Sequence, residues 1–127
     1  MYSYPLQPRF NETDALGHIN NTVLATWFEG ARDKVFQVFT ANLAPSDWRL
    51  ILAKFSIEFH AELFYGDAVE IRTWVSRIGG SSFDVTQEAW QQGRRCASGV
   101  AVLVHYDFAS KQSVPLSEEQ KQQLQQL

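Results

Sequence analysis

Cysteine occurs once in the 127 residues, at Cys96, so no disulfide can close within the chain. A chain of this kind suits a reducing compartment. No apolar run approaches the length of a membrane span; the longest lies around Val100 to Val104. The opening residues MYSYPLQPRF have neither the cationic start nor the apolar stretch of a secretory signal. A cytoplasmic location, with no membrane partner, is expected. Positive charge is not in excess either. Eleven Lys and Arg stand against fourteen Asp and Glu, a net −3. The molecule as a whole does not attract nucleic acid, and an anionic ligand would need a local basic patch. Phosphate-binding GxxxxGK[ST], dinucleotide GxGxxG, CxxC, HExxH and GxSxG patterns are all absent. His18, His60 and His105 fall on separate segments, so metal ligation is not expected. Cys96 sits inside a strand pattern, away from a helix N-terminus or a paired basic group, and reads as core rather than nucleophile.

What the chain does have is large apolar side chains. Nine Phe, four Trp and four Tyr accompany 45% apolar and 20% charged residues, a composition suited to one globular domain over 1–127. Pro5 and Pro8 restrict residues 2 to 11 to an edge strand at best. From Asn21 to about Thr40, Leu24, Phe28, Ala31, Val35 and Phe39 recur at helical steps. Val23, Trp27, Phe36 and Val38 widen that arc, which predicts a long helix covered on several sides. Asn42 to Asp47 then ends it, with Pro45 as a stop.

Beyond that point the period drops to two. Phe55, Ile57, Phe59, Ala61 and Leu63 alternate with polar residues, as do Val69, Ile71, Thr73 and Val75. Tyr65-Gly66-Asp67, Gly79-Gly80 and Gln92-Gly93 read as turns between successive neighbouring strands. The last strand, about Arg94 to Phe108, is apolar on both faces in its middle. Such a strand is expected to be covered on both sides, and a second subunit is the simplest second cover. Ser117 and Gln120 have capping-box spacing ahead of a short, Gln-rich surface helix expected to fray. The prediction is an α+β fold: one strand, one long buried helix, then four antiparallel strands curling around it.

Chemistry concentrates in TDALGHINNTVLATWFEGAR, residues 13 to 32. Asp14 precedes a helix start at which Asn20 or Asn21 can serve as the cap. A carboxylate there can act as base or nucleophile, and the free N–H groups of a first turn can hold an anion. A simple turn residue and a simple cap would look the same. Glu29 is a second carboxylate. Its helical neighbour Arg32 offers an ion pair, the favoured reading.

The pattern Thr13-Asp14, Gly17-His18, Asn20-Asn21, Phe28-Glu29 and Ala31-Arg32 resembles the hot-dog-fold acyl-CoA thioesterases of the 4-hydroxybenzoyl-CoA thioesterase type. Tyr65-Gly66-Asp67, Gly80-Ser81-Ser82-Phe83 and Phe108 to Pro115 resemble later parts of that family, so the likeness runs over nearly the whole chain. It implies a sheet of about five strands wrapped around one helix, and subunits paired into a homodimer or a dimer of dimers with active sites at the interface. It further implies hydrolysis of an acyl-CoA thioester without a cofactor, coenzyme A being part of the substrate. Asp14 would be the nucleophile or general base, and His18 would orient substrate or Asp14 or hold the loop. Gly17, Asn20 and Asn21 would support the loop and an oxyanion hole, with Glu29 as reserve carboxylate. Ser81, Ser82 and Arg77, with Lys54, Arg94 and Arg95, are candidates for the coenzyme A phosphates. Trp27, Trp74 and Trp90 either line an acyl tunnel or pack the core. An acyl carrier protein is a possible alternative partner. Two rival functions remain: a hot-dog hydratase, and a non-catalytic dimer that binds acyl-CoA or a carrier protein. Leu24 stands where the family often has an aromatic residue, so substrate preference does not transfer.

Overall fold

Alternation of apolar and polar residues becomes one antiparallel sheet in the computed structural model, which describes all 127 residues. Its strands are β1 (Tyr2–Leu6), β2 (Leu50–Phe59), β3 (Val69–Ile78), β4 (Ser82–Gln91) and β5 (Arg94–Asp107), with a short β6 (Gln112–Ser113) paired to β5. The spatial order is β1-β3-β4-β5-β2. β1, with Pro5, is an edge strand as its prolines require.

β2 does not neighbour β3. It pairs with β5 at the opposite edge, with Phe55 opposite Ala101 and Phe59 opposite Ala97. The turn at Tyr65-Gly66-Asp67 is therefore not a hairpin. The segment between β2 and β3 crosses the end of the sheet, buries Leu63, and accepts the Ile19 N–H on the Leu63 carbonyl (2.8 Å). That core contact and backbone bond hold the crossing where simple adjacency would have placed a tight turn.

The helical segment follows the predicted path but is not continuous. α1 covers Val23–Gly30 and α2 covers Asp33–Phe36. Between them the bonding shortens, with the Arg32 N–H on the Glu29 carbonyl (3.1 Å), and Arg32 has φ −90° and ψ 8°. Gly30, a poor helix former, precedes the break. The inner sheet face holds two apolar clusters. One gathers Leu24, Trp27, Phe28 and Ala31 against Val69, Ile71, Ala89 and Ala97. The other gathers Val35 and Phe39 against Phe83, Val85 and Leu103. Gly99 permits the closest approach: a Cβ there would lie 3.0 Å from Phe28 Cε2 and 3.0 Å from the Ser56 carbonyl oxygen.

The tail is better anchored than its Gln content suggests. In α3 (Glu118–Gln125) the Ser117–Gln120 capping box forms in both directions, at 3.1 and 2.9 Å. Leu124 is fully buried, and Val75 donates to the Leu127 carbonyl (3.3 Å). No helix is long and apolar enough to cross a membrane. On the outer sheet face Val100, Val102 and Val104 stay half-buried, with no helix of this chain over them.

Candidate active site

The loop before α1 is tied down chiefly by its own backbone. Thr13 bridges Ile19 and His18 bridges Phe64. The Asp14 N–H donates to the His18 carbonyl (2.7 Å), and Gly17 takes φ +80°, which closes the turn. Trp27 anchors the loop to α1 by donating its Nε1–H to Glu12 (2.9 Å). Trp27 is thus core, and Trp74 and Trp90 do not line the cleft at Asp14.

Asp14 is exposed, and its two carboxylate oxygens differ. Oδ1 accepts the N–H groups of Leu16 (2.8 Å) and His18 (3.1 Å). Oδ2 has no partner in the chain. One oxygen is fixed by the loop and the other faces away from every donor of the chain. The cleft it borders has a volume of about 480 Å³ and is walled by Leu16, Ile19, Leu24, Phe59 and Leu63.

His18 orients Asp14 through its backbone rather than its ring. The ring's Nε2 lies 3.2 Å from Glu62, and the ring packs edge-on against Phe64 at 5.0 Å. Glu62 and His60 also line the cleft, and sequence reasoning treated both as the polar face of a strand. The alternation from Phe55 to Leu63 predicts a strand through Leu63, but β2 stops at Phe59 and leaves His60 and Glu62 beyond its end. His60 Nε2 and Ser98 Oγ are hydrogen-bonded at 2.8 Å.

Thr22 directly precedes α1 without a side-chain cap bond, and the side-chain oxygen at the helix entry comes from Asn20. Its Oδ1 accepts from the Thr22 N–H (3.0 Å), and its carbonyl accepts from Val23 (3.0 Å). The Asn20 N–H is used by the Glu12 carbonyl (2.9 Å). Of the first-turn N–H groups expected to be free, from Asn20 to Val23, only that of Asn21 has no acceptor in the chain, and Asn21 lines the cleft.

Several other candidates lie elsewhere. Glu29 borders a second cavity of about 530 Å³, with Arg32, Phe36, Trp48, Leu50, Leu52 and Leu103. The expected Glu29–Arg32 ion pair does not form. Arg32 turns inward and is 2% exposed, its Nε donating to Gln87 Oε1 (3.0 Å). Burial pushes its pKa down to about 10, partly opposed by the charge of Glu29, so it is cationic at neutral pH. Arg77 bonds Asp84 (2.9 Å) and Ser82 (3.2 Å) at the β3–β4 hairpin. Ser81 lies in the same hairpin, its carbonyl accepting from His105 (2.8 Å). This hairpin is at the end of β5 remote from Asp14. Arg95 pairs with Glu88 (3.2 Å), while Arg94 and Lys54 are exposed without ion pairs.

Comparison with known proteins agrees with this architecture. Residues 8–124 match the family model described as the thioesterase-like superfamily. A predicted thioesterase from Bacillus stearothermophilus superposes with TM-score 0.95 at 32% identity, over 98% of this chain and 94% of that one. A thioesterase from Thermus thermophilus, solved with coenzyme A and zinc, superposes with TM-score 0.85 over 96% and 95% of the two chains, and at 24% identity it speaks for the fold. YsmA, an uncharacterized protein of Bacillus subtilis, is 25% identical over 117 residues, 91% of this chain and 80% of that protein. The family match spans most of the chain, so this protein belongs to the thioesterase-like superfamily and is a hot-dog thioester hydrolase.

Proposed function

We propose that the protein hydrolyses acyl-CoA thioesters to a free acid and coenzyme A, with Asp14 as the reacting carboxylate. The observation that carries this is the asymmetry of Asp14: Oδ1 is held by two backbone N–H groups and Oδ2 opens onto a cleft with apolar walls. As nucleophile, Oδ2 adds to the thioester carbonyl, the C–S bond breaks, and water then splits the resulting anhydride. As base, it takes a proton from water, hydroxide adds to the carbonyl, and the thiolate leaves and is protonated. Either route puts negative charge on the carbonyl oxygen, where the Asn21 N–H is the available donor. The Thermus thermophilus relative that holds coenzyme A supports the choice of thiol.

The site is completed by a second copy. β2 is an edge strand with Ile51 40%, Leu52 45% and Phe59 48% exposed, an edge that invites pairing. Two copies joined there about a two-fold axis form a homodimer with one continuous sheet. That pairing carries the β3–β4 hairpin of each copy, with Arg77, Ser81 and Ser82, toward the other copy's Asp14 cleft. Coenzyme A phosphates would be met there.

Thiol release from a panel of aliphatic and aromatic acyl-CoA esters tests the reading. Asp14→Asn should lower kcat/KM by about 10²–10⁴. No thiol from any ester would overturn the enzyme reading in favour of a binding dimer, and full activity in Asp14→Asn would remove the assigned residue. Light scattering should give a dimer or dimer of dimers at micromolar concentration. A monomer there defeats the shared site.

A further inference from the structure

The second cavity contains a cation that the chain itself does not satisfy. Arg32 is 2% exposed, and its Nη2 is buried without a hydrogen-bond partner. Only Nε is bonded, and the acceptor is a neutral amide. No carboxylate lies within ion-pair distance of the guanidinium, whose carbon sits 4.8 Å from the centre of the Phe55 ring. The head is also fixed in place. Gln87 donates its amide to the Phe28 carbonyl (2.8 Å) and Thr73 Oγ1 (3.1 Å), so its oxygen is bound to face Arg32. A buried charge with no carboxylate in direct contact, only the more distant charge of Glu29, is a costly arrangement for a fold to keep. One held rigidly at a cavity wall is suited to an anion from outside the chain.

The cavity's position says where that anion would come from. Its walls include Leu50 and Leu52 at the start of β2, whereas the Asp14 cleft ends on Phe59 at the other end of the strand. Within one chain Leu52 and Phe59 are seven residues apart, about 23 Å at roughly 3.3 Å per residue. Antiparallel pairing of two β2 edges reverses one strand against the other. Leu50 and Leu52 of one copy then lie beside the end of β2 in its partner. Such pairing keeps the same sheet face on the same side. Leu52, Phe55 and Phe59 all stand opposite buried inner-face residues of β5, namely Leu103, Ala101 and Ala97. The Asp14 cleft of one copy and the Arg32 cavity of the other thus open toward each other along one apolar wall.

Resting on the acyl-CoA thioesterase reading above, we infer that Arg32 reads the far end of the acyl group: the preferred substrate is a thioester whose acyl chain ends in a carboxylate, with the thioester at Asp14 of one copy and the carboxylate at Arg32 of the other. The planar guanidinium suits a carboxylate, and charge-assisted bonds are the stronger kind. Glu29 and Asp33 border the same cavity, but both are exposed, so water and salt screen their repulsion. Arg32, being buried, is screened far less.

The test compares three coenzyme A thioesters of equal chain length, ending in a carboxylate, its methyl ester or a methyl group, at a short, a medium and a long length. Thiol release is followed for the wild type, Arg32→Met and Arg32→Lys. At the fitting length the wild type should favour the carboxylate over both neutral ends by at least about tenfold in kcat/KM. Arg32→Met should bring that ratio to one or below, and Arg32→Lys should keep part of it. The ratio is taken within each variant, so a smaller folded fraction cancels. A wild type that takes either neutral end as readily as the carboxylate overturns the inference, as does a ratio that survives Arg32→Met. Thiol release from ordinary acyl-CoA esters with no preference among the three ends leaves the thioesterase reading standing while the inference falls. No release from any ester removes both.

Discussion

Asp14 and Arg32 carry opposite charges toward opposite ends of β2, and their surroundings are reversed as well. Asp14 is exposed and has backbone donors on one oxygen, so its charge is met by water and by the loop itself. Arg32 is buried against the sheet at a cavity wall, with a single neutral acceptor. The first end is complete as a carboxylate holder within one chain, because the loop needs only its own N–H groups. The second is incomplete within one chain, because no carboxylate there comes within ion-pair distance of the guanidinium. One end can be understood from local sequence, whereas the other depends on what three strands and a broken helix bring together.

The contrast breaks most sharply at Gln87. Replacing it with Leu removes the only acceptor of Arg32 and the donors to Phe28 and Thr73. Hydrogen bonds to charged groups contribute about 1.5–3 kcal/mol, and the buried cation is then left with only the Phe55 ring beside it. Gln87→Leu should lower the unfolding free energy by about 2–3 kcal/mol, read from the urea midpoint. A shift under about 0.5 kcal/mol, the size of an ordinary surface change, would mean that Arg32 finds another partner and is not the unsatisfied group described. At the other end, Gly17→Ala should cost about 1–2 kcal/mol. No atom lies within 4 Å of the added methyl, so the effect would come from φ +80° alone. A neutral result would show that the Asp14 loop is not held in that conformation in solution.

Legibility followed the same division. The geometry of the Asp14 loop was readable because its contacts are local: Asp14, Gly17, His18 and Asn20 shape it through bonds to residues a few positions away. The strands were readable from alternation, and the hot-dog architecture from strand–helix–strand order together with the family likeness. The place of β2 was not, because period and turn residues say nothing about which edge a strand joins. Glu29 and Arg32 are three apart on a helical pattern, and that spacing suggested a surface ion pair. It misled because Arg32 also stands four residues after Phe28 and three before Val35, on the buried face of the helical path, where its side chain meets Gln87 instead of Glu29. The oxyanion donors were overcounted for a related reason. Spacing shows which N–H groups begin a helix, but not that Glu12, the Asn20 side chain and the Asn20 carbonyl have already taken three of them.

The smallest effect is expected at Glu62, where the comparison is most easily sharpened. Glu62 meets His18 Nε2 at 3.2 Å, but its side chain is 63% exposed, and exposed pairs of this kind contribute about 0–1 kcal/mol. His18 does not depend on it for position. The backbone bridge to Phe64 and the edge-on ring contact remain when the charge is removed. Asp14 does not depend on it either, since what Asp14 receives from His18 is a backbone N–H. Glu62→Gln should therefore shift stability by less than about 1 kcal/mol and reduce thiol release only slightly, with both changes shrinking further in high salt. A loss of activity approaching that of Asp14→Asn would give a different picture. The His18 ring and Glu62 would then take part in moving the proton, and the Asp14 end would depend on a side-chain relay rather than on its own loop.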